Sequence, residues 1–314
     1  MSKRYAIGID LGGTHLRVGL VSRDGEIIRK VKEQTSKGIL DAILRLGESL
    51  FFDEVAGIGL GVAGLIDRKN GKVLISPNIP AVEGIYLVDE IRDRFRVPVF
   101  MENDANAAAL GEKWVGAGKE FSSFVLFTLG TGIGGGIVLE RKLLNVAAEI
   151  GHMTISSESS NSEKCYCGNY GCLESRASAR AILSKVVTAL EEGKESLLRE
   201  FSGGQFHRLT AEDIYRAALD GDSLSKEILR DAGRYLGIGV ANIINIMSPE
   251  AIILTGGLIG AWDIYVQEAI KEASKRAFKE LFERVKIIPS SLGDNAGIIG
   301  SAGLVFENGP PEVL

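Results

Sequence analysis

The N-terminal part of the chain alternates apolar and polar positions around a glycine turn. The run from Arg4 to Asp10 is apolar, and after Leu11-Gly-Gly-Thr14 a period-two pattern places Leu16, Val18 and Leu20 on one side. This pattern predicts a strand, a glycine turn and a returning strand. A Rossmann or P-loop motif would instead open a helix after its strand, and the chain contains no G-x-x-x-x-G-K-[ST] motif, so Walker-type phosphate binding is excluded.

The same pattern returns in the middle of the chain. Residues Ser123–Thr128 are an apolar run, Gly130-Thr-Gly132 is a turn, and Ile133–Leu139 is a glycine-rich returning strand. The chain is therefore predicted to be internally duplicated.

Turn signals, caps and periodicity predict the remaining elements. They are a hairpin turn at Ser22–Gly25 leading into a strand at Glu26–Val31, strands at Gly57–Gly64 and Val97–Glu102, a helix at Ala105–Trp114, a capping box at Thr210–Asp213, a long helix at Ser223–Ile246 stopped by Pro249, a strand at Ala251–Leu254, a helix at Ile264–Phe282 and a helical segment from Asp294.

Composition is that of an ordinary globular protein, with 314 residues, 45% hydrophobic and 25% charged. The formal net charge of −5 offers no electrostatic case for nucleic acid as a partner. No apolar run approaches the roughly 20 residues of a membrane span, and the N-terminal apolar stretch is too short for a signal sequence. We therefore expect a cytoplasmic protein that binds neither membrane nor nucleic acid.

The two glycine turns are candidate phosphate-binding loops. Gly12 and Gly13 would let backbone N–H groups approach a polyphosphate, Thr14 can donate a hydroxyl hydrogen bond, and Asp10 can hold Mg²⁺ through water. A tight hairpin with a polar exit would look the same. The recurrence as Gly130-Thr131-Gly132 favours a phosphate clamp built from two similar halves.

Two further segments follow predicted strands. In Glu102-Asn-Asp-Ala-Asn106, Asp104 lies between a strand end and a helix start, where a helix N-terminus would keep it ionised, and it is a candidate general base. The alternative is that Asn103 or Asp104 only caps the helix. In Leu254-Thr-Gly-Gly-Leu258, Gly256 and Gly257 could let a flat adenine lie against bare backbone, although ordinary turns also look like this.

All three cysteines of the chain lie within eight residues, at Cys165, Cys167 and Cys172. With one histidine they complete the Cys₃His set of a closed structural zinc site. His152 in Glu149-Ile-Gly-His152 is the candidate fourth ligand, His207 is its competitor, and His15 lies in the first hairpin. The alternative is three inert buried thiols.

These residues together resemble the ROK family, which groups bacterial sugar kinases with sugar-responsive repressors. Glu149–His152 and Cys165-Tyr-Cys-Gly-Asn-Tyr-Gly-Cys-Leu-Glu174 are similar to its E-x-G-H and C-x-C-G-x-x-G-C-x-E signatures, and the resemblance covers essentially the whole chain. It implies an α/β fold of the two-domain actin/hexokinase-like, ribonuclease H-like type, with an interdomain cleft and a structural zinc loop. Residues 1–117 with 297–314 would form the N-terminal domain, and residues 118–296 the C-terminal domain with the zinc loop and adenosine site.

The resemblance also implies an activity, ATP-dependent transfer of phosphate to the 6-hydroxyl of a hexose, most simply glucose. Asp104 would be the general base. ATP, Mg²⁺ and a structural Zn²⁺ would be the cofactors, and a homodimer is the assembly it suggests. The residues that would bind sugar hydroxyls are Gly64, Asn78, Asn103, Asp104, Glu149, His152 and Glu174, with His152 using its two ring nitrogens for sugar and zinc.

Two departures from the family pattern are visible. The segment between Lys142 and Glu149 is shorter than is usual in the family and lacks a glycine-rich approach, and Asn78–Gly84 lacks the Gly-Trp that often follows its proline. Fructose, mannose, N-acetylmannosamine and N-acetylglucosamine are alternative substrates. A repressor would need a helix-turn-helix ahead of Asp10, where the sequence leaves no room, and a zinc-stabilised sugar sensor would not need Asp104 or the phosphate turns.

Overall fold

The computed structural model describes residues 4–35, 38–156 and 164–308. Its strands are β1 (Tyr5–Leu11), β2 (His15–Ser22), β3 (Ile27–Gln34), β4 (Val55–Val62), β5 (Leu65–Asp67), β6 (Lys72–Ile75), β7 (Val99–Asn103), β8 (Phe124–Leu129), β9 (Ile133–Leu139), β10 (Lys142–Leu143), β11 (Ala251–Thr255) and β12 (Lys286–Pro289). Its α-helices are α1 (Ile39–Glu48), α2 (Leu87–Phe95), α3 (Asp104–Val115), α4 (Glu174–Ala177), α5 (Ala179–Glu191), α6 (Leu198–Ser202), α7 (Ala211–Leu219), α8 (Ser223–Met247), α9 (Gln267–Arg276), α10 (Lys279–Phe282) and α11 (Ala296–Asn308).

Ten of these strands form two five-stranded sheets of the same strand order, and β5 and β6 pair as a separate two-stranded sheet. The first has the order β3-β2-β1-β4-β7 and the second the order β10-β9-β8-β11-β12. In the first sheet β1, β2 and β3 are antiparallel neighbours, while β1, β4 and β7 are parallel. The repeated order confirms the predicted internal duplication, and the two glycine turns join the first two strands of each sheet.

The contacts divide the described residues into two units. Unit 1 consists of Met1–Leu126, Gly136–Ala148 and Ser290–Leu314, and unit 2 of Phe127–Gly135 and Glu149–Pro289. The core of unit 1 is built from the buried faces of β1, β2 and β4 packed with helices α1 and α2. Strand β4 is buried over nearly its full length, as expected of a central parallel strand, whereas the edge strand β3 alternates between partly buried and exposed positions.

Helix α11 lies close to the first sheet because small residues line the contact. A Cβ on Gly8 would lie 2.0 Å from the carbonyl oxygen of Ile298, and one on Gly59 would lie 1.7 Å from that of Ser301. On the other side of the helix, a Cβ on Gly300 would lie 1.6 Å from the carbonyl oxygen of Ala107 in α3. These glycines let α11 and α3 approach each other and the sheet, and α3 carries Asp104 at its first turn.

One predicted helix is wrong. The segment Ile264–Phe282 was predicted as continuous, but a π-helical turn (Trp262–Val266) leads into α9, and the backbone is extended at Ala277 before α10. The side chain of Asn245 accounts for the break, since its Nδ2 donates to the carbonyl of Arg276 at 3.4 Å and its Oδ1 accepts from the N–H of Phe278 at 2.9 Å. The predicted capping box at Thr210 and Asp213 is confirmed. None of the helices in the described residues is both long and apolar enough to cross a bilayer.

Candidate active site

The first sheet brings its glycine turn and the candidate base to one edge. Leu11 of β1 pairs with Val62 of β4, and Val62 pairs with Asn103 of β7, all in parallel register. The next residues along these strands are Gly12 and Asp104 at the outer positions. Because neighbouring strands lie about 4.8 Å apart, the glycine turn and Asp104 are separated by two strand spacings, about 10 Å, at the carboxyl edge of the sheet.

The first glycine turn closes with a hydrogen bond inside the turn, and two of its amides have no acceptor among the described residues. The N–H of Gly12 donates to the carbonyl of His15 at 3.0 Å. Thr35 braces the turn, since its hydroxyl donates to the Gly12 carbonyl at 2.7 Å and its N–H to the Thr14 carbonyl at 3.0 Å. Within the described part of the chain, the amides of Gly13 and Thr14 donate to no acceptor. Thr35 is a supporting residue that the sequence did not reveal.

The second glycine turn also closes with a hydrogen bond inside the turn, to the residue two positions on where the first turn reaches three. The N–H of Gly130 donates to the carbonyl of Gly132 at 3.0 Å, and the N–H of Ile133 donates to Oε2 of Glu174 at 2.8 Å. Among residues that the structure describes, the amides of Thr131 and Gly132 have no acceptor. Successive unpaired amides of this kind form a concave site for an anion.

Three of the glycines predicted to bind nucleotide are not required by the fold. A Cβ on Gly12 would meet only the His15 carbonyl oxygen at 3.5 Å, and one on Gly130 or Gly257 would meet nothing within 4 Å. None of the three has a left-handed φ. Open space at a bare backbone is the feature that a closely approaching ligand needs. Gly256 differs, since its φ is 98° and its Cβ would lie 2.4 Å from the Leu129 carbonyl oxygen.

Asp10, the predicted magnesium residue, is buried and paired. Its Oδ2 accepts from Nη1 of Arg17 at 3.0 Å. Burial raises the pKa of Asp10 above its ordinary value, and the Arg17 guanidinium opposes that rise. The carboxylate is thus held at the end of β1 by a cation whose removal would favour its protonated form.

The corner between β7 and α3 assigns separate roles to Asn103 and Asp104. Asn103 is the N-cap of α3, because its Oδ1 accepts from the amides of Ala105 at 2.9 Å and Asn106 at 3.2 Å. Its Nδ2 donates to the carbonyl of Gly64 at 3.1 Å. Asp104 is the first residue of the helix, is only partly buried, and accepts from the Ala105 amide at 2.9 Å. Capping therefore accounts for Asn103, while Asp104 is not the cap.

The other sugar-binding residues predicted in unit 1 lie near the same edge. Gly64 follows β4 with a φ of 127°, and a Cβ there would lie 2.4 Å from the Ile75 carbonyl oxygen, so only glycine fits. A Cβ on Gly13 would lie 2.7 Å from Cβ of Asn78, which places the Asn78 side chain against the first phosphate turn.

The polar residues predicted in unit 2 also gather. Oε2 of Glu149 lies 3.8 Å from Nε2 of His152. Burial raises the pKa of Glu149, His152 lowers it, and the nearby Glu174 carboxylate raises it. Glu174 also accepts a hydrogen bond from the Ile133 amide at 2.8 Å, which links the Glu149 and His152 side chains to the second glycine turn through Glu174. The three side chains form one acidic group around an imidazole.

The three cysteines and His152 form a cluster that fits a zinc ion. Their ligand atoms all lie within 4.8 Å of one another, with Sγ of Cys165 3.5 Å from Nδ1 of His152 and Sγ of Cys167 3.5 Å from Sγ of Cys172. A tetrahedral ion with bonds of about 2.1–2.3 Å separates its ligands by about 3.5–3.8 Å, which matches the two separations of 3.5 Å. Burial raises the pKa of Cys165 and Cys172, so thiolates there need a compensating cation. His207 is not part of the group.

Comparisons with known proteins give the family of the chain. The ROK family model matches residues 6–308. The glucokinase of Thermotoga maritima is 38% identical over 320 residues, covering 98% of this chain and 99% of the relative, and the xylose repressor of Caldicellulosiruptor bescii is 33% identical, covering 96% and 78%. The crystal structure of a ROK family glucokinase from Streptomyces griseus in complex with glucose and AMPPNP superposes with a TM-score of 0.86 at 32% identity, covering 97% of this chain and 100% of that one. The predicted two-domain α/β fold is confirmed, and the chain belongs to the ROK family.

Proposed function

We propose that this ATP-dependent sugar kinase transfers the γ-phosphate of MgATP to the 6-hydroxyl of glucose, with Asp104 as general base. The observation that carries the proposal is the register of the first sheet, which places Asp104 and the Gly12–Gly13 turn at one carboxyl edge, about 10 Å apart. That separation leaves room for a sugar hydroxyl and a transferring phosphoryl group. The amides of the two similar turns that donate to no acceptor in the described residues are the proposed phosphate-binding groups.

The proposed step is an in-line displacement at phosphorus. The carboxylate of Asp104 accepts the proton of the 6-hydroxyl, the sugar oxygen forms a bond to the γ-phosphorus, and the bond from phosphorus to the β–γ bridging oxygen breaks to release ADP. Asp104 lies at the N-terminus of α3, where the helix dipole favours its ionised form. The amides of Gly13, Thr14, Thr131 and Gly132 are the groups that would bind phosphate oxygens.

Two groups of residues are proposed to bind sugar hydroxyls. Gly64, Asn78 and Asn103 with Asp104 are the set from unit 1. The unit 2 set is Glu149, His152 and Glu174, whose carboxylates and imidazole can accept or donate hydrogen bonds to hydroxyls. Gly256 and Gly257 would lie against the adenine.

Two metal ions fit this chemistry. Asp10 would hold Mg²⁺, which when bound neutralises charge on the phosphates. Cys165, Cys167, Cys172 and Nδ1 of His152 would hold zinc, leaving Nε2 of His152 on the side of Glu149. Zinc there supports the orientation of a sugar-binding side chain.

The nearest alternatives are a different hexose and a regulatory role. Glucokinases are among the relatives at 35–38% identity, which favours glucose, while a xylose repressor at 33% identity makes a regulatory role the second candidate. The boundary between domains 1–117 with 297–314 and 118–296, the cytoplasmic location and the homodimer stay predictions.

A panel of hexoses with MgATP, scored by kcat/KM, tests the proposal. Glucose should give the highest value, and Asp104→Asn should lower kcat about 10²- to 10⁴-fold with sugar affinity changed far less. A higher kcat/KM for another hexose selects the first alternative. Sugar binding by calorimetry, with xylose included, but no phosphoryl transfer to any hexose would refute the kinase and favour a regulator.

A further inference from the structure

An ion-pair cluster with a buried carboxylate and a partly buried arginine lies next to the β7–α3 corner. Glu102 precedes Asn103 in β7 and is only 6% exposed. Its Oε1 accepts from the Asn103 amide at 2.8 Å and from Nδ2 of Asn106 at 3.1 Å. One carboxylate oxygen thus contacts the residues on both sides of Asp104.

Arg68 completes the cluster from the turn that follows β5. Its Nε donates to Oε2 of Glu102 at 2.7 Å, and its Nη2 donates to Oε1 of the same carboxylate. This two-pronged geometry fixes the orientation of the Glu102 carboxylate, which a single contact would not do.

The same cluster holds the segment that leads to Glu149. The carbonyl of Val146 accepts from Nδ2 of Asn106 at 2.9 Å and from Nη2 of Arg68 at 3.3 Å. Val146 is three residues before Glu149, and between them Ala148 has a left-handed φ of 48°, which a residue with a Cβ rarely adopts. This is the short segment that lacks the family's glycine-rich approach. Side-chain donors hold it where glycines are absent.

Stability alone does not require such a cluster. A buried ion pair is often no more stabilising than apolar residues of similar size, because the desolvation energy of the two charges is about as large as the energy of their attraction. Its contacts converge instead on the proposed base and on the approach to a proposed sugar ligand. We infer that Arg68 and Glu102 are positioning residues for phosphoryl transfer, which fix the Asn103–Asp104 corner and the Val146–Ala148 segment together.

This inference rests on the proposed function, and kinetics test it first. Arg68→Met should lower kcat about 10- to 100-fold and raise the glucose KM, because a displacement near 1 Å of a reacting group can cost about 10² in rate. The ATP KM should stay within about threefold, since the cluster does not touch the glycine turns. Arg68→Lys keeps the charge without the two-pronged contact and should recover part of kcat, and Glu102→Gln should resemble Arg68→Met.

Arg45→Met is the matched control. Arg45 forms a two-pronged pair with Glu33 at 2.7 and 3.0 Å, also in unit 1, but that pair is exposed. The control should leave kcat and both KM values unchanged. The inference is overturned if Arg68→Met keeps kcat and the glucose KM within about twofold of wild type, or if Arg45→Met causes an equal loss.

Amide hydrogen exchange gives a readout that needs no catalysis. Arg68→Met and Glu102→Gln should raise exchange in peptides covering residues 102–106 and 142–148, and leave peptides from β1 and β2 unchanged. If wild type phosphorylates no hexose, the proposed function fails while this measurement still decides whether the cluster fixes the corner. Unchanged exchange in both peptides would refute the inference.

Discussion

Gly130 offers a test of phosphate binding that separates ligand contact from folding. Gly130→Ala adds one methyl group to the second turn. No atom lies within 4 Å of the new Cβ, and the φ of Gly130 is not left-handed. A glycine-to-alanine change at a compatible backbone stabilises a protein by about 0.4–1 kcal/mol through the unfolded chain. The folded protein should therefore keep or slightly gain thermal stability.

The affinity for the phosphate groups of ATP should fall in Gly130→Ala even though the fold is kept. The amides of Thr131 and Gly132, which follow Gly130 directly, donate to no acceptor within the described ranges and are the proposed phosphate donors. A methyl group beside them occupies space that a phosphate oxygen needs to approach to within about 2.9 Å. Losing one hydrogen bond to a charged group costs about 1.5–3 kcal/mol, which corresponds to roughly 10- to 150-fold in affinity.

A coupled assay that titrates ATP at saturating glucose checks this expectation. Gly130→Ala should lower kcat/KM for ATP by at least tenfold, and Gly12→Ala, whose Cβ would meet only an oxygen at 3.5 Å, should act in the same direction. Gly260→Ala is the control, because it lies in the same unit as Gly130, has the same open surroundings and has no proposed contact. The reasoning fails if both turn variants keep kcat/KM for ATP within about threefold of wild type, or if their melting temperatures fall.

Three other perturbations address separate parts of the site. Asp104→Asn should nearly abolish turnover, as measured in the hexose panel, and retention of more than about a tenth of kcat would remove Asp104 as base. Arg17→Met should raise the pKa of Asp10 further, so the acid limb of the pH profile of kcat/KM for ATP should move to higher pH. The stability deficit of the variant relative to wild type in thermal melts should grow as pH rises from the folded-state pKa of Asp10 in wild type to its higher folded-state pKa in the variant. An unmoved acid limb would contradict a role for ionised Asp10. Cys167→Ala should weaken glucose binding about 10- to 100-fold by calorimetry, with less effect on MgATP binding. Metal analysis of the wild-type protein should find about one zinc ion per chain. A wild-type protein without zinc, or zinc-free protein that binds glucose as tightly as the zinc-bound form, would contradict the metal's supporting role.

Local signals in the sequence were sufficient for the parts of the site that depend on neighbouring residues. The two glycine turns could be predicted because each lies between two alternating runs, and the structure closes both with hydrogen bonds inside the turn. The cysteine cluster could be predicted because Cys165, Cys167 and Cys172 lie within one short loop. His152 was already preferred to His207 from the sequence and the family resemblance, and the structure places His152 with the three cysteines.

Contacts between distant segments could not be read from the chain. Arg68 is 34 residues from Glu102, and nothing in its local pattern distinguishes it from a solvated surface arginine. The break between α9 and α10 depends on Asn245, a side chain of α8 that competes for the backbone of a segment with good helical periodicity. In both cases a hydrogen bond between segments distant in sequence determines the local arrangement, and the helix or strand propensities of the residues do not predict that bond.

The duplicated sheets are alike in topology and different in charge, and that difference bears on the proposed chemistry. Asp10 and Thr128 occupy equivalent positions, each two residues before the first glycine of its turn. Asp10 is a buried carboxylate compensated by Arg17, whereas Thr128 is neutral and its hydroxyl accepts the Gly134 amide at 3.0 Å. Two like unit charges 4 Å apart repel by about 4 kcal/mol near a protein surface, so a second carboxylate beside the second turn would oppose an anionic ligand. The first copy therefore has a carboxylate that could hold the proposed metal ion, whereas the second turn offers the proposed nucleotide backbone amides, glycines and the Thr131 hydroxyl without a carboxylate.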